Sequence, residues 1–404
     1  MKRLAATVLL VASASFAAAD SSNLYHQLFA SLETQVDANA GLTVFPALLI
    51  PSGGRMEGMG TAFTAVADDS GFVEANPAAS ASLARTELSV LHNNWISDTR
   101  VESVVFTTRY DHLGLGAAAK VLYLPFTHYN SWGERSAAAH LSESIATLNA
   151  SYNFFSSYAF WGVSVGANVK AAYRDIPTVF ATGQSAFSVM ADIGLLTRFN
   201  LFKFYSSREP NLSVGTAVKN LGPYVLGEPL PTYWTSGISY SPIRPVLVAF
   251  DVSLPFSFDP ANFPAERWFL AGGVDVAVTD FLSVQAGFRY KPASPRLTLG
   301  SSVELDNISI VANYVVDFNS DPRFSVEAKL DLGDSGRAET RARVDELYVR
   351  GLDAYARGDS QVAIGYWEEA LELDPDFTPA RTNVDLVRNL LRLQESIEGI
   401  QIGN

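Results

Sequence analysis

Gly162-Val-Ser164-Val-Gly166 has the spacing of a nucleophile elbow, in which a strained strand-to-helix turn offers a serine to a histidine and an acid for acyl transfer. Here the serine falls inside an alternating stretch and no helix follows, so the motif reads as strand interior. Gly114-x-Gly116-x-x-Ala119 imitates a dinucleotide loop and fails on the same point. His26, His92, His112, His128 and His140 are scattered without ligand spacing, and the chain holds no cysteine. Thiolate metal sites, disulfides and a lipidated N-terminal cysteine are thereby excluded. The expectation is no catalytic residue, no metal and no cofactor.

Lys120, Lys170, Lys219 and Arg289 share no motif, but each stands late in a stretch of alternating apolar and polar residues. On the strands of one wall such cations would face one lumen at one height. There they could hold an anionic head group through charge-assisted hydrogen bonds. Asp251 and Asp317 occupy similar places, so ordinary ion pairs are the competing reading. The elements that carry these side chains decide between the two.

The chain has 404 residues, 29 Lys and Arg against 42 Asp and Glu, and a net charge of −13. That balance excludes a nucleic-acid partner, which demands clustered basic residues. Charged residues are 18%, below the roughly 25% of soluble domains, while aromatic residues reach 12%. The composition suits a membrane, yet no long apolar run follows the N-terminus, which argues against a helical membrane protein. Residues 1–19 read as a signal peptide: Lys2 and Arg3, then an apolar run from Leu4 to Ala14, then Ala17-Ala18-Ala19.

Residues 86–331 repeat a period of two. In 282–290, Leu282, Val284, Ala286, Phe288 and Tyr290 share one face, and Ser283, Gln285, Gly287 and Arg289 the other. Fourteen strands are expected, near 86–97, 101–110, 112–123, 142–154, 159–172, 184–199 and 211–219, then 233–240, 245–254, 266–277, 281–290, 296–305, 308–317 and 322–331. The number is even, several strands have the length that crosses a bilayer, and tight turns alternate with long connections. Those connections fall at 124–141, 173–183, 220–232 and 255–265. Trp95, Tyr110, Trp234 and Trp268 stand at strand ends, where aromatic girdles belong. The expected fold class is all-β transmembrane, a 14-stranded antiparallel outer-membrane β-barrel. Even parity puts both of its chain ends in the periplasm, and odd strands then carry the four cations towards the outer mouth.

After a linker at 332–340, residues 341–404 turn helical. Gly351, Gly358-Asp359, Ala363, Trp367, Ala370-Leu371, Leu373 and Pro375 have the spacing of one tetratricopeptide repeat. Such a domain could hold a periplasmic protein partner or simply cap the barrel.

Residues 20–85 begin with a short helical pattern and become Gly-rich and irregular, as a plug inside a lumen can be. The run Arg55, Gly58-Met59-Gly60, Ala62, Ala65 to Asp69 and Asn76-Pro77-Ala78 resembles the N-terminal hatch of the long-chain fatty acid transporter (FadL) superfamily. With its helical tail the chain resembles a spirochaete branch of that superfamily, and the hatch pattern also occurs in barrel components of a bacteroidete secretion system. The resemblance covers roughly residues 41–331. It implies passive uptake of long-chain fatty acids, or other small hydrophobic molecules, through a hatch-plugged barrel. A scaffold that recruits periplasmic partners through its tail is the alternative left open.

Within the hatch, Pro77 biases Asn76 towards extended backbone, which frees the Asn amide to tie plug to wall. Arg55 and Asp68 or Asp69 could pair with lumenal charges of opposite sign. Gly114 and Gly116 soften the third strand and mark it as the candidate lateral opening. Phe126, Tyr129, Trp132, Tyr224, Leu226, Phe256 and Phe258 are expected on outer loops, against membrane lipid or substrate.

Overall fold

In the computed structural model, which describes residues 42–404 apart from 97, 158–159, 179, 206–208, 292–293, 319–320 and 403–404, fourteen strands close into one antiparallel barrel. They are β1 (Glu87–Asn94), β2 (Arg100–Tyr110), β3 (Leu113–Tyr129), β4 (Arg135–Phe154), β5 (Val163–Asp175), β6 (Ala186–Phe199) and β7 (Leu212–Leu221). The circuit continues through β8 (Tyr233–Ile243), β9 (Val246–Pro255), β10 (Phe269–Thr279), β11 (Leu282–Tyr290), β12 (Arg296–Leu305), β13 (Ile308–Asp317) and β14 (Arg323–Asp331). Each strand pairs with its neighbours in sequence, and β1 meets β14 from Glu87↔Asp331 to Asn94↔Phe324. Closure pairs the wall's backbone groups within the wall, which is what lets strands span a bilayer. The expected signal peptide lies outside the described residues.

Alternation in sequence becomes inside and outside in space. Along β2, Val101, Ser103, Val105 and Thr107 are buried and the residues between them exposed; β5 and β6 repeat this. The exposed set is apolar, with Val104, Phe106, Leu148, Val169, Ile193, Leu299 and Ile310 facing outwards. Among the described residues no helix is long and apolar enough to cross a membrane. The strands make the crossing.

Two expected boundaries move. β3 and β4 run on to Tyr129 and from Arg135, so the long connection expected at 124–141 is a hairpin turn at 130–134. Phe126 and Tyr129 therefore belong to a strand and not to a loop. The cause is that the alternation of Leu124, Phe126 and His128 continues against Ala137, Ala139 and Leu141 beyond the last residue paired to β2. The linker expected at 332–340 is also shorter, because a helix already begins at Arg337. Asp334 accepts hydrogen bonds from the Gly336 and Ala338 amides at 3.0 and 2.6 Å, satisfying a helix start that would otherwise be open.

The lumen is filled by residues 42–86. A 3-10 turn (Pro46–Leu49) is followed by α1 (Gly54–Gly58), α2 (Phe72–Ala75) and a second 3-10 turn (Pro77–Ser82). After the barrel come α3 (Arg337–Ala356), α4 (Ser360–Leu373) and α5 (Thr378–Ile402). Trp367 is buried between the first two, donating to the Tyr348 carbonyl at 3.2 Å above Gly351, with Ala354, Ala363 and Ala370 buried around it. Arg337 joins this tail to the barrel, donating to the carbonyls of Arg109 (2.6 Å) and Ala84 (2.7 Å).

Candidate functional site

The hatch is bound to the wall through its main chain. Asn76, buried completely, donates from one amide nitrogen to the carbonyls of Thr64 and Leu195, both at 2.9 Å, and its amide oxygen accepts from the Ala78 N–H. Leu195 belongs to β6, so one side chain folds the hatch and fastens it. The extended conformation of Asn76 (φ −154°) allows this, and Pro77 behind it favours that conformation. The Pro77 carbonyl accepts from Asn149 on β4 at 2.9 Å, and the Val73 carbonyl from Asn168 on β5 at 3.0 Å. On the far wall Asn313 donates to the Gly54 carbonyl at 2.8 Å, and Asp251 accepts from the Phe63 and Thr64 amides at 3.0 and 2.9 Å. Buried backbone groups need such partners, and lumen-facing amides and carboxylates supply them.

Glycines make the close fit possible. A Cβ at Gly166 would overlap the main chain of Pro77, one at Gly114 that of Ser80 and Ala81, and one at Gly273 that of Met59. At Gly287 it would strike the hatch backbone at Met59 and Gly60. Gly60 has a φ of +64°, and a Cβ there would lie 2.6 Å from the Phe288 nitrogen. Gly58 likewise presses on Asn313 and Gln285. Gly114 and Gly116 thus face the hatch, Gly116 beneath the Phe72 ring, and β3 pairs with both neighbours throughout this region. β3 keeps its backbone pairing with β2 and β4 at the candidate lateral opening, and the hatch occupies the space these glycines leave. The Gly-x-Ser-x-Gly motif resolves the same way: Ser164 points into the lumen beside Ser82 at 3.3 Å.

The four cations meet around one cavity. Lys120, Lys170, Lys219 and Arg289 all line a lumenal space of about 110 Å³, together with Leu49, Ile50, Val73, Ile145, Phe269 and Tyr233. Their partners divide them into two kinds. Lys120 pairs with Glu74 of the hatch and Lys170 with Asp192 of β6, each at 2.7 Å. Burial acts to raise the Glu74 carboxyl, but the Lys120 ammonium and Ser52 outweigh it and hold that group below the usual carboxylate range. Lys219 and Arg289 form no ion pair among the described residues. Lys219 donates to the Glu74 carbonyl at 2.7 Å and lies 5.1 Å from the Tyr233 ring centre. Arg289 lies 4.3 Å over the Phe269 ring, and its buried Nε has no hydrogen-bond partner among the described residues. Neither Asp251 nor Asp317 forms an ion pair with the two among the described residues: Asp251 accepts from the hatch amides, and Asp317 binds Arg296 at 2.8 Å and Arg323 at 3.5 Å.

Two more cavities flank this one. A space of about 230 Å³ towards the loop end shares Leu49, Ile50, Tyr233, Phe269 and Arg289 with it. Phe256 lines that outer space. Trp132, Tyr224, Leu226 and Phe258 are exposed, Tyr224 against Phe263 and Phe256 against Phe258. Towards the tail end a polar vestibule of about 440 Å³ shares Arg55 and Asp69 with the central cavity. Arg55 pairs there with Asp68 and with Asp275 of β10, each at 2.5 Å, and Asp69 pairs with Lys329 of β14 at 2.6 Å. These ion pairs form the floor between the central cavity and the vestibule. Among the described residues no group of His, Asp and Glu could hold a metal ion.

Sequence reasoning passed over Asn313, Asn168 and the buried Glu57, which accepts from Ser325 at 2.6 Å, and it read Asp251 as an ion-pair partner of the cations, not as an anchor for the hatch amides. For Asn313, Asn168 and Asp251 the signal was an isolated amide or acid on the small-residue face of a strand; Glu57 lies in α1 of the hatch and carried no such signal. A model of uncharacterised protein family UPF0164 matches residues 15–333. A UPF0164 protein of Treponema pallidum (strain Nichols) is 31% identical over 382 residues, covering 90% of this chain and 87% of the relative. A second from the same organism is 31% identical over 384 residues, covering 87% and 76%. Among solved structures, the CymD monoaromatic hydrocarbon channel superimposes with a TM-score of 0.51 at 12% identity, covering 74% of this chain and 99% of that one. At that identity the likeness is one of fold.

Proposed function

This chain belongs to uncharacterised protein family UPF0164, and from that premise we propose that its outer-membrane barrel admits small hydrophobic molecules with an anionic head, long-chain fatty acids foremost. One observation carries the reading. A buried cavity lined by aliphatic and aromatic side chains contains two cations, Lys219 and Arg289, that form no ion pair among the described residues. A buried charge is costly unless it is paired, and a ligand carboxylate would pair it. Together the central and outer cavities reach the low end of the roughly 300–1,000 Å³ typical of small-molecule sites. The head group would rest at Arg289, and the apolar chain would extend into the outer cavity, gaining about 0.8 kcal/mol per buried methylene. The solved channel of like fold is described as one for monoaromatic hydrocarbons, which supports an apolar cargo in general terms.

Native mass spectrometry of gently solubilised protein tests this. The expected result is a retained lipid carboxylate that is lost from the Arg289→Ala protein. Retention of only neutral lipid by both proteins would refute the anionic head.

The tail end is read as periplasmic and the loop end as external, from even parity and the longer connections at the loop end. Protease sites placed at 130 and 260 should then be cut on intact cells, and one after 340 should not. Cleavage of the tail in unbroken cells would reverse the orientation. The second reading, a scaffold for periplasmic partners, is favoured by exposed Leu386, Leu390 and Leu393 along one face of α5.

A further inference from the structure

Three spaces lie in series along the lumen, and they are joined in different ways. The outer and central cavities share Leu49, Ile50, Tyr233, Phe269 and Arg289. Among the described residues, the central cavity and the polar vestibule share only Arg55 and Asp69. Both belong to the hatch, and each is held by a different wall strand: Arg55 by Asp275 of β10, and Asp69 by Lys329 of β14. Arg55 also holds Asp68, and Lys329 meets Glu327 at 3.6 Å. Two cations thus stand among four carboxylates. Without Arg55, Asp68 and Asp275 would face each other as like charges across the seam between hatch and wall. Without Lys329, Asp69 and Glu327 would do the same.

A passage through this floor and one through the wall make different demands. Every wall strand pairs with both neighbours, and β1 closes on β14. A lateral exit must break several backbone hydrogen bonds at once, inside a bilayer that offers no replacement. At the floor only side chains need to part. Solvent already reaches the pair of Arg55 with Asp68. The vestibule, about 440 Å³ and lined by Arg85, Asp280, Glu304 and Asp306, has room and polar groups for the charges that separate. The guanidinium of Arg55 also lies 5.7 Å from the Phe63 ring, a second resting place within the hatch.

We propose that cargo leaves the central cavity through this floor into the vestibule, with Arg55 and Lys329 as ionic latches and the rest of the hatch staying in its seat. That a cargo exists rests on the transport reading. The passage is tested without one.

The full-length protein is placed in a planar lipid bilayer and its current recorded in potassium chloride. The parent should be closed. Arg55→Ala and Lys329→Ala should each carry a steady current, and Arg55→Lys, which keeps the charge, should stay closed. Asn168→Ala is the comparison: it releases the hatch from β5 without touching the floor, and should also stay closed. The chain has no native cysteine, so Ala271→Cys places a single thiol on the central cavity. In the Arg55→Ala protein a methanethiosulfonate reagent should then block the current. A current in Asn168→Ala as large as in Arg55→Ala, or one that the reagent leaves intact, would overturn the route. So would floor variants as closed as the parent, once heat-modifiable migration shows them folded. For the cargo itself, Arg55→Cys with Asp275→Cys, joined by a bifunctional thiol reagent, should stop uptake of a labelled fatty acid by intact cells. Native mass spectrometry should still find the lipid bound. Undiminished uptake by the joined protein would send the exit through the wall. The current needs no bound lipid, so route and transport reading fail separately.

Discussion

Gly166→Val is expected to abolish the folded barrel. A Cβ at this position already overlaps the main chain of Pro77 and Ala78, which Asn76 and Asn149 hold in place. Main chain cannot rotate away as a flexible side chain can. Overpacking of a tight interior usually costs about 1–3 kcal/mol, and the two further methyl groups of valine should exceed that range. Gly166→Ala should still fold, with a lowered thermal transition, and Gly287→Ala should add to it because a different part of the hatch meets that residue. Gly365→Ala is the control: nothing lies near a Cβ there, and alanine favours the α4 helix by about 1 kcal/mol. Heat-modifiable gel migration measures the folded fraction. A Gly166→Val protein that folds and melts like the parent would mean that the hatch is not seated on these glycines.

Arg289→Ala should weaken binding of a fatty acid by about 1–3 kcal/mol, the range for hydrogen bonds to ionised groups, while binding of its methyl ester changes little. The ester keeps the buried chain and lacks the charge, so the difference isolates the head-group contact. Lys219→Ala should act in the same direction. Lys170→Ala is a contrasting case, because it leaves Asp192 buried without its ion pair and so tests the wall instead. Titration calorimetry against both ligands measures the difference. Equal losses for acid and ester would assign Arg289 to its stacking on Phe269 alone.

The wall was legible because a bilayer outside and a plug inside impose opposite demands on successive residues. Leu148 faces outwards and Asn149 inwards, and no other arrangement suits that pair. The extension of β3 and β4 was not legible, since Ala137, Ala138 and Ala139 have little strand propensity and owe their conformation to pairing with His128, Thr127 and Phe126 in turn. The four cations could be placed at one height from register. Their division into paired and unpaired could not, because Lys120 finds Glu74 across 46 residues, a contact only the folded hatch creates. Asn76 was legible through Pro77. Asp251 was not, because its partners are two backbone amides of the hatch, and amides carry no sequence signal.

The pairing of β1 with β14 joins Glu87 to Asp331 and Asn94 to Phe324, so the last seam waits for the whole wall to be exported. Contacts of such sequence separation form slowly, since a long loop must close before they contribute. The hatch precedes β1 in the chain and is on the site of assembly before the seam exists. The glycine contacts leave no clearance for threading a folded plug into a finished cylinder. The timetable follows: strands gather around the hatch as around a mandrel, and the ring shuts last. A hatch supplied in trans to a closed barrel should consequently arrive too late to take its seat.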